Sequence, residues 1–191
     1  MKKWFESIIS CFKPKTKEQK SKKQYGSSFF SFQHTGEVIK AENLLRQAGF
    51  RVEVKGPPPY MRTGCDMVLV CESIAEPVIS RILNDANLPP EQVLPVGEGL
   101  MEPVSLYQVT DLGDWLMVRA ANMKITITKQ DGTIVNVSGG GCPDVPYLAA
   151  KILGENIVTC EEPRISGQTL CSYSLQKAFM EARRWWLQEH G

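Results

Sequence analysis

The strongest constraint on the fold is a pair of alternating segments between residues 123 and 138, MKITITKQDGTIVNVS. Alternation of apolar and polar residues is typical of a strand with one buried face. The Gln130-Asp131-Gly132 segment between the two runs contains a glycine, which accepts the positive φ that tight hairpin turns require. The sequence therefore predicts an antiparallel β-hairpin. Its two alternating runs contain Ile125 and Ile127 before the turn and Ile134 and Val137 after it.

Two helices are predicted to follow this hairpin. The first is about a dozen residues long, PDVPYLAAKILG, and ends at Gly154. The second, TLCSYSLQKAFMEARRWWLQEH, carries an apolar stripe of Leu175, Phe179, Ala182 and Trp186 at helical spacing. Residues 103–191 are thus predicted to form a small α+β unit with an antiparallel hairpin and two helices.

Residues 27–98 show a different order of elements. Strand-like and helix-like segments follow one another as strand, helix, strand, strand, helix and strand. This βαββαβ order predicts a ferredoxin-like N-terminal domain and places the whole chain in the α+β class. The residues predicted to face inward are Val38, Ala41, Leu44, Leu45 and Ala48 in the first helix, and Ile79, Ile82, Leu83 and Ala86 in the second.

Short motifs in this first unit are similar to those of the selenium/sulfur carrier protein-like family. The similarity covers residues 30–96, a little over a third of the chain. It rests on Phe32 and His34 before the first helix, the AENLL segment at 41–45, Gly49, the prolines after the second strand, and Cys65 shortly before VLV. The family pattern usually has glycine after the cysteine, whereas this chain has Asp66. The resemblance implies that Cys65 carries a persulfide or perselenide.

The residues around Cys65 suit this chemistry in part. The thiolate, not the thiol, accepts sulfur, so such a site needs cations or backbone donors. Arg62 supplies a cation and Gly64 allows close approach of the backbone, whereas Asp66 adds a like charge. We therefore expect Arg62 and Gly64 to stabilise an anion at Cys65. Cys71 lies about 20 Å further along the predicted strand and is interpreted as a small buried residue.

A second candidate thiol follows three consecutive glycines, Gly139, Gly140 and Gly141, in the segment SGGGCPDVP. Proline suits the first position of a helix, so Pro143 predicts that Cys142 lies at the helix N-cap. Unpaired N–H groups and the helix dipole stabilise a thiolate there, and the glycines would let a ligand approach closely. The CPDVP segment also resembles, with a spacing that differs by one residue, the Cys-Pro-x-Pro start of the carrier helix in TusA-like sulfur carriers. The alternatives are an anion-binding loop with an incidental cysteine and a turn that is purely structural.

The remaining side chains offer little other chemistry. Cys171 opens the last helix and would be a resolving thiol if the last two helices lie side by side, whereas Cys160 is interpreted as structural. The chain has two histidines, and His34 is interpreted as a helix-start residue. No glycine-rich segment is completed by Gly-Lys-Ser or Gly-Lys-Thr, so a P-loop is excluded. The sequence predicts no resident metal and no cofactor.

The charge of the chain is divided unevenly. Residues 1–24 contain eight lysines and two glutamates, a local charge of +6, so the remaining residues carry −5 and the whole chain +1. An acidic body argues against a nucleic-acid binder, whose basic patch would lie on the folded part. Residues 1–26 are interpreted as a basic leader and linker. Its first dozen residues, MKKWFESIISCF, are either a frayed terminus or an amphipathic helix that contacts a membrane surface or a partner.

The cysteine pattern indicates the compartment. None of the six cysteines forms a CxxC pair, and the apolar part of the leader, broken by Glu6, lacks the form of a secretory signal. A reducing, cytoplasmic location is therefore expected, with peripheral membrane contact through residues 1–24 as the alternative. No run approaches the roughly 20 apolar residues that span a bilayer.

These observations favour a sulfur or selenium carrier that relays a persulfide or perselenide between a donor and an acceptor protein. Cys65 and Cys142 are the predicted carriers and Cys171 the predicted resolving thiol, with at most a sulfurtransferase-like activity. One alternative is a non-catalytic, membrane- or partner-docked adaptor that binds an anion. Another is a cysteine-ligated metal or Fe–S protein, although the available spacing fits no standard pattern. Its ligands would come from Cys65, Cys142, Cys160 and Cys171.

Overall fold

A computed structural model of the chain describes residues 26–62, 66–97, 102–164 and 169–191. The predicted leader helix, together with Gly64 and Cys65, lies outside the described residues. Within the described part the chain forms two four-stranded antiparallel sheets and four α-helices. The α+β class predicted from the sequence is therefore confirmed.

The first sheet contains four strands in the order β2-β3-β1-β4, and every neighbouring pair is antiparallel. Its strands alternate with helices along the chain in the predicted βαββαβ order, an arrangement compatible with a ferredoxin-like unit. The elements are β1 (Ser27–Ser31), α1 (Thr35–Gln47), β2 (Glu53–Lys55), β3 (Val68–Glu72), α2 (Glu76–Asp85) and β4 (Gln92–Pro95).

The second sheet is a meander in which each strand pairs with the next. Its elements are β5 (Tyr107–Asp111), β6 (Trp115–Ala120), β7 (Met123–Thr128) and β8 (Ile134–Gly139), followed by α3 (Val145–Ile152) and α4 (Leu170–His190). Strands β7 and β8 form the predicted hairpin, with Ile127 opposite Ile134. Gly132 in its turn has a φ of 74°, the backbone conformation for which glycine was expected.

The predicted inward faces of α1 and α2 are correct in the middle of each helix and wrong at the ends. Val38, Ala41 and Leu45 are buried in α1, and Ile79 and Leu83 are buried in α2. Ala48 and Ala86 are exposed, contrary to the prediction. Each of these alanines is the C-cap of its helix, so the chain leaves the helical path before their side chains reach the core.

One hydrophobic core extends through both sheets. Helix α4, 21 residues long, packs across β6 and β7 and places Leu175 and Phe179 in that core. A pair of backbone hydrogen bonds between Gly56 and Val104 also connects the two halves, with N–H···O distances of 2.9 and 3.0 Å. Neither α4 nor any other described helix is long and apolar enough to cross a membrane.

A buried carboxylate ties α1 to α4. The Glu42 side chain is 3% exposed and accepts hydrogen bonds from the Tyr173 hydroxyl at 2.6 Å and the Lys177 ammonium at 2.7 Å. The Arg46 guanidinium also lies 3.0 Å from this carboxylate. Because a buried charge is costly unless it is paired and hydrogen-bonded, the relative position of these two helices is fixed by polar as well as apolar contacts.

Candidate functional site

The structure brings together two of the cysteines singled out in the sequence, Cys142 and Cys171. Cys142 lies in the turn that follows β8, and Cys171 is the second residue of α4. The two thiols line the same cleft and shift each other's pKa, and both cysteines are free, without a disulfide. Their predicted roles as carrier and resolving thiols stay predictions.

The helix that stabilises Cys142 is not the predicted one. Cys142 was expected at the N-cap of the helix that follows it, with Pro143 as the first helical residue. Instead α3 begins at Val145, with Asp144 as its N-cap and Pro146 at its second position. Proline has no N–H, so Pro146 cannot donate to the Cys142 carbonyl, which accepts from the Val145 N–H at 3.2 Å instead. The first α-helical hydrogen bond runs from the Leu148 N–H to the Asp144 carbonyl at 3.1 Å. Cys142 therefore precedes α3, and its thiol lies at the N-terminus of α4.

Hydrogen bonds at the start of α4 lower the pKa of the Cys142 thiol. The largest contribution comes from the Cys171 thiol, and the backbone N–H of Cys171 and the Thr169 hydroxyl act in the same direction. Partial burial and the Asp144 carboxylate oppose the shift. Donors at a helix N-terminus commonly favour the thiolate in this way.

The same contacts have the opposite result for Cys171. Burial raises the pKa of this thiol, and donation of its proton to Cys142 raises it further. The backbone N–H groups of Gly141 and Cys142 oppose this shift without cancelling it. The pair is therefore polarised: Cys142 is the thiol that ionises first, and Cys171 is the donor that stabilises it.

Thr169 connects this pair to Asp144. As the N-cap of α4, its hydroxyl accepts a hydrogen bond from the Ser172 N–H at 3.1 Å and donates to the Asp144 carboxylate at 2.6 Å. A hydroxyl has a single proton, so donation to Asp144 competes with donation to Cys142. The short contact with the carboxylate indicates that Cys171, rather than Thr169, is the principal donor to the Cys142 sulfur.

The three glycines before Cys142 differ in whether the structure requires glycine at their positions. A Cβ atom on Gly139 would lie 1.9 Å from the Asn122 carbonyl oxygen, and one on Gly140 would lie 2.6 Å from the Met123 sulfur and 2.9 Å from the Cys171 sulfur. Both glycines also have positive φ angles, 91° and 72°. A Cβ on Gly141 would meet no atom within 4 Å. The protein's own atoms thus fill the space at Gly139 and Gly140, and only Gly141 has open space.

The two thiols line a cleft of about 630 Å³. Gly140, Gly141 and Leu170 form part of its wall, and strands β6 and β7 contribute Arg119 and Lys124. Neither an aspartate nor a glutamate is among the described residues that line it. The arrangement thus places two free thiols and two cationic side chains along one cleft.

Arg62, predicted to stabilise an anion at Cys65, lines a second cleft of about 270 Å³. Asp66 also lines this second cleft, so the residues on both sides of the segment 63–65 face it. Arg119 and Asn122 line both clefts and mark the boundary between them. The predicted anion-binding residues are therefore divided: Arg62 lines one cleft, Gly140 and Gly141 line the other, and Gly139 lines neither.

Two further cysteines lie away from these clefts. Cys71 is 5% exposed, and burial raises the pKa of its thiol to about 11, with help from Glu76 and Glu72. The Cys160 thiol donates to the Glu161 carbonyl at 3.3 Å, and burial raises its pKa as well. Among the residues that the structure describes, no three cysteine, histidine or acidic side chains are grouped as metal ligands.

Sequence reasoning missed Thr169, Arg119 and Lys124. The first follows a recognisable signal, because threonine is a preferred N-cap and TLCSYSL begins an amphipathic run. The sequence signal for Arg119 and Lys124 is weaker: the two residues lie symmetrically about Ala121-Asn122, which connects β6 to β7. Recognition of this short hairpin would have placed them opposite each other.

Two regions of the chain match known families, one in each sheet. Residues 28–95 match the family described as "Putative Se/S carrier protein-like", and residues 106–190 match a domain of unknown function, DUF8182. The chain is also 39% identical over 174 residues to "Uncharacterized protein MJ0011" of Methanocaldococcus jannaschii, which covers 89% of this chain and 87% of that protein. No solved structure matches the chain.

Proposed function

Because the chain belongs to the Se/S carrier protein-like family through residues 28–95, we propose that it carries sulfur or selenium on cysteine between a donor and an acceptor protein. The observation that supports this proposal most is the polarised pair of Cys142 and Cys171 in an open cleft. Carriers of this kind need a thiol that ionises readily and remains accessible.

Loading of Cys142 is a thiolate displacement. The Cys142 thiolate attacks the outer sulfur of a donor persulfide, R–S–SH, and a new sulfur–sulfur bond forms as the donor's own S–S bond breaks. The donor leaves as the thiolate R–S⁻, and Cys142 holds the persulfide –S–SH. No net oxidation occurs, and a perselenide donor, R–S–SeH, follows the same balance. Thiolate character and access of the attacking sulfur govern this class of exchange.

The sulfur bound to Cys142 can leave by two reactions. An acceptor thiolate attacks the outer sulfur, takes it as a new persulfide and restores the Cys142 thiolate. Alternatively the Cys171 thiolate attacks the inner sulfur, releases hydrosulfide and forms a Cys142–Cys171 disulfide. In this second route the transferred sulfur is reduced and the two thiols are oxidised, so a dithiol reductant must reopen the disulfide. The contact between the two thiols favours Cys171 as the resolving residue.

Cys65 is the second proposed carrier. Arg62 and Asp66, on either side of the segment that contains it, line a cleft that shares Arg119 and Asn122 with the cleft of Cys142. In a relay, sulfur would pass between Cys65 and Cys142. In this proposal Arg62 and Gly64 stabilise the anion at Cys65, and the N–H groups of Gly141 and Cys142 serve the dithiol pair.

The experiment that tests the carrier function is sulfur loading of the anaerobically purified, full-length chain with glutathione persulfide. Mass spectrometry would map the added sulfur in the native sequence and in Cys65→Ser, Cys142→Ser and Cys171→Ser, with Cys160→Ser as a matched control. We expect a gain of one reductant-sensitive sulfur that Cys142→Ser or Cys65→Ser removes and Cys160→Ser leaves. Cys171→Ser should keep the sulfur and slow the release of hydrosulfide.

Equal loading of every variant would contradict the proposal, as would no loading of the folded, reduced native protein. The cationic cleft would then favour the second candidate, an adaptor that binds an anion without cysteine chemistry. In that case serine at every cysteine would leave partner or anion binding intact. Deletion of residues 1–24 would abolish localisation if the leader docks to a membrane or partner.

A further inference from the structure

The geometry of β6 and β7 points to a binding site for a low-molecular-weight anion beside Cys142. We infer that this anion is the sulfane-sulfur donor or acceptor itself, a small molecule whose negative group binds Arg119 and Lys124 while its sulfur meets the Cys142 thiol. The sulfur chemistry in this inference rests on the proposed function, but recognition of the anion has a readout of its own.

The first support is the pairing of two like charges. Arg119 on β6 lies directly opposite Lys124 on β7, on the sheet face that points away from the apolar core. Like charges directly opposite each other destabilise a sheet. The Arg119 Nε–H is fixed by donation to the Ala121 carbonyl at 2.7 Å, and Lys124 forms no ion pair with any described residue. Such an arrangement is reasonable where an anion completes it.

The second support is that no carboxylate among the described lining residues neutralises the two cations. Both cations line the cleft of Cys142, and its described lining contains no carboxylate. Asp144, a carboxylate close to Cys142, is held by the Thr169 hydroxyl at 2.6 Å. Residues 25–191 carry a net charge of −5, so a positive cleft runs against the overall charge of the body. A concave site lined by one sign of charge concentrates ions of the other sign.

The third support is the size of the cleft, which is lined by both cations and by Cys142. A ligand that spans from the cations to the thiol needs a body of several atoms, and a cleft of about 630 Å³ accommodates one. The concave shape of the cleft favours a small anion over the acidic surface of a protein.

Recognition of a small anion by the two cations can be tested by the rates at which iodoacetate, an anion, and iodoacetamide, its neutral analogue, alkylate Cys142. In both reactions the Cys142 thiolate attacks the methylene carbon of the reagent and displaces iodide, so the ratio of the two rates cancels any change in the pKa of Cys142. The variants are Arg119→Gln with Lys124→Gln, the charge-conserving Arg119→Lys, and the control Lys40→Gln, which removes an exposed lysine of α1.

At low ionic strength, we expect the iodoacetate/iodoacetamide ratio of the double variant to be about tenfold lower than that of the native protein. Added salt should change the ratio of the double variant little. Raising the salt concentration should shrink the ratio of the native protein toward that of the double variant. Arg119→Lys should keep most of the preference for iodoacetate, and Lys40→Gln all of it. An equal ratio in the native protein and the double variant would overturn the inference.

Sulfur loading from glutathione persulfide, itself a small anion, separates the remaining outcomes. We expect the double variant to load about tenfold more slowly than the native protein. Loss of the iodoacetate preference with unchanged loading would assign the cations to a larger acidic partner and overturn the small-anion inference. Cation-dependent iodoacetate preference in a native protein that takes up no sulfur would support the anion site while refuting the carrier function.

Discussion

Cys142 and Cys171 are identical side chains with opposite pKa shifts, and the difference lies in what each thiol contacts. Cys142 accepts hydrogen bonds at the start of α4, which favours its thiolate. Cys171 donates its proton and is more buried, which favours its thiol. Hydrogen bonding to the charged form and desolvation are separable causes, so each can be removed by its own substitution.

The pH dependence of Cys142 alkylation should therefore depend on residue 171. We expect the midpoint of the iodoacetamide rate profile to lie below that of an ordinary thiol in the native protein. Cys171→Ala removes the main donor and should move the midpoint toward the ordinary value, so that the rate at neutral pH falls severalfold. Cys171→Ser retains a hydroxyl donor, so its midpoint should lie below that of Cys171→Ala. Identical midpoints in all three proteins would contradict the polarised pair.

The lowered pKa of Cys142 also makes the stability of the fold depend on pH in a definite direction. Because the folded state favours the thiolate, Cys142 contributes stability above the pKa of the unfolded thiol, and this contribution is lost as the pH falls through the lowered folded value. Cys71 has the opposite sign. Its pKa is raised from 9.0 to about 11, so its contribution is present below pH 9 and is lost as the pH rises through about 11.

Among single residues, the sequence could identify the thiols but not their environment. Cys142 stands out because Gly139, Gly140, Gly141 and Pro143 surround it, a signal contained in a few adjacent residues. The donors that set its pKa come from a helix that begins near residue 170. Only the tertiary structure brings them together, so local reasoning assigned the anion-stabilising role to α3 instead of α4.

At the scale of elements, the turn between β8 and α3 is shaped by contacts of the backbone. Gly139 packs against the carbonyl of Asn122 in the neighbouring hairpin, and Gly140 packs against Met123 and Cys171. These contacts hold Cys142 at the start of α4, while Pro146 delays the beginning of α3. The position of the thiol is therefore a property of the whole turn.

Alanine substitutions in this turn should separate packing from exposure. Gly140→Ala would place a Cβ 2.6 Å from the Met123 sulfur at a φ of 72°, and we expect it to lower the free energy of unfolding by about 1 to 3 kcal/mol. Gly141→Ala meets no atom within 4 Å and should change stability by less than about 0.5 kcal/mol. Urea unfolding measures both. Equal losses would mean that steric contact at Gly140 is not what requires glycine.

The order of elements was predictable because periodicity is local. Alternation between residues 123 and 138 predicted the hairpin of β7 and β8, and helical spacing predicted the middle of α1 and α2. The prediction was wrong where a pattern continued past the end of its element, at Ala48 and Ala86. It was also wrong at α3, where the missing N–H of Pro146 outweighed the preference of Pro143 for a first helical position.

At the scale of the whole molecule, the Glu42 cluster connects two halves that match different families. Glu42 belongs to the region that matches the selenium/sulfur carrier family, and Tyr173 and Lys177 belong to the region that matches the domain of unknown function. These partners are 131 and 135 residues away in sequence. A glutamate on a helix is ordinarily expected at the surface, so nothing near Glu42 predicted its burial.

Removal of this carboxylate should be costly. Glu42→Ala leaves the Lys177 ammonium, whose side chain is 13% exposed, without its 2.7 Å partner, and we expect a loss of about 3 to 5 kcal/mol in the free energy of unfolding. Tyr173→Phe removes one hydrogen bond and should cost about 1 kcal/mol. The double substitution Glu42→Leu with Lys177→Met should be less harmful than Glu42→Ala, since no buried charge is left unpaired. A loss below about 1 kcal/mol for Glu42→Ala would contradict the assigned role.

The placement of the two thiols also bears on the entropy of the unfolded chain. Residue 142 lies before α3 and residue 171 at the start of α4, so a bond between their sulfurs would close a loop of about 30 residues. A cross-link that closes a loop of this length lowers the entropy of the unfolded chain, which stabilises the folded state by about 3 to 4 kcal/mol. Oxidation at the site would then raise the unfolding temperature of the entire domain. A thermal melt would thus report the chemical state of a single pair of sulfur atoms.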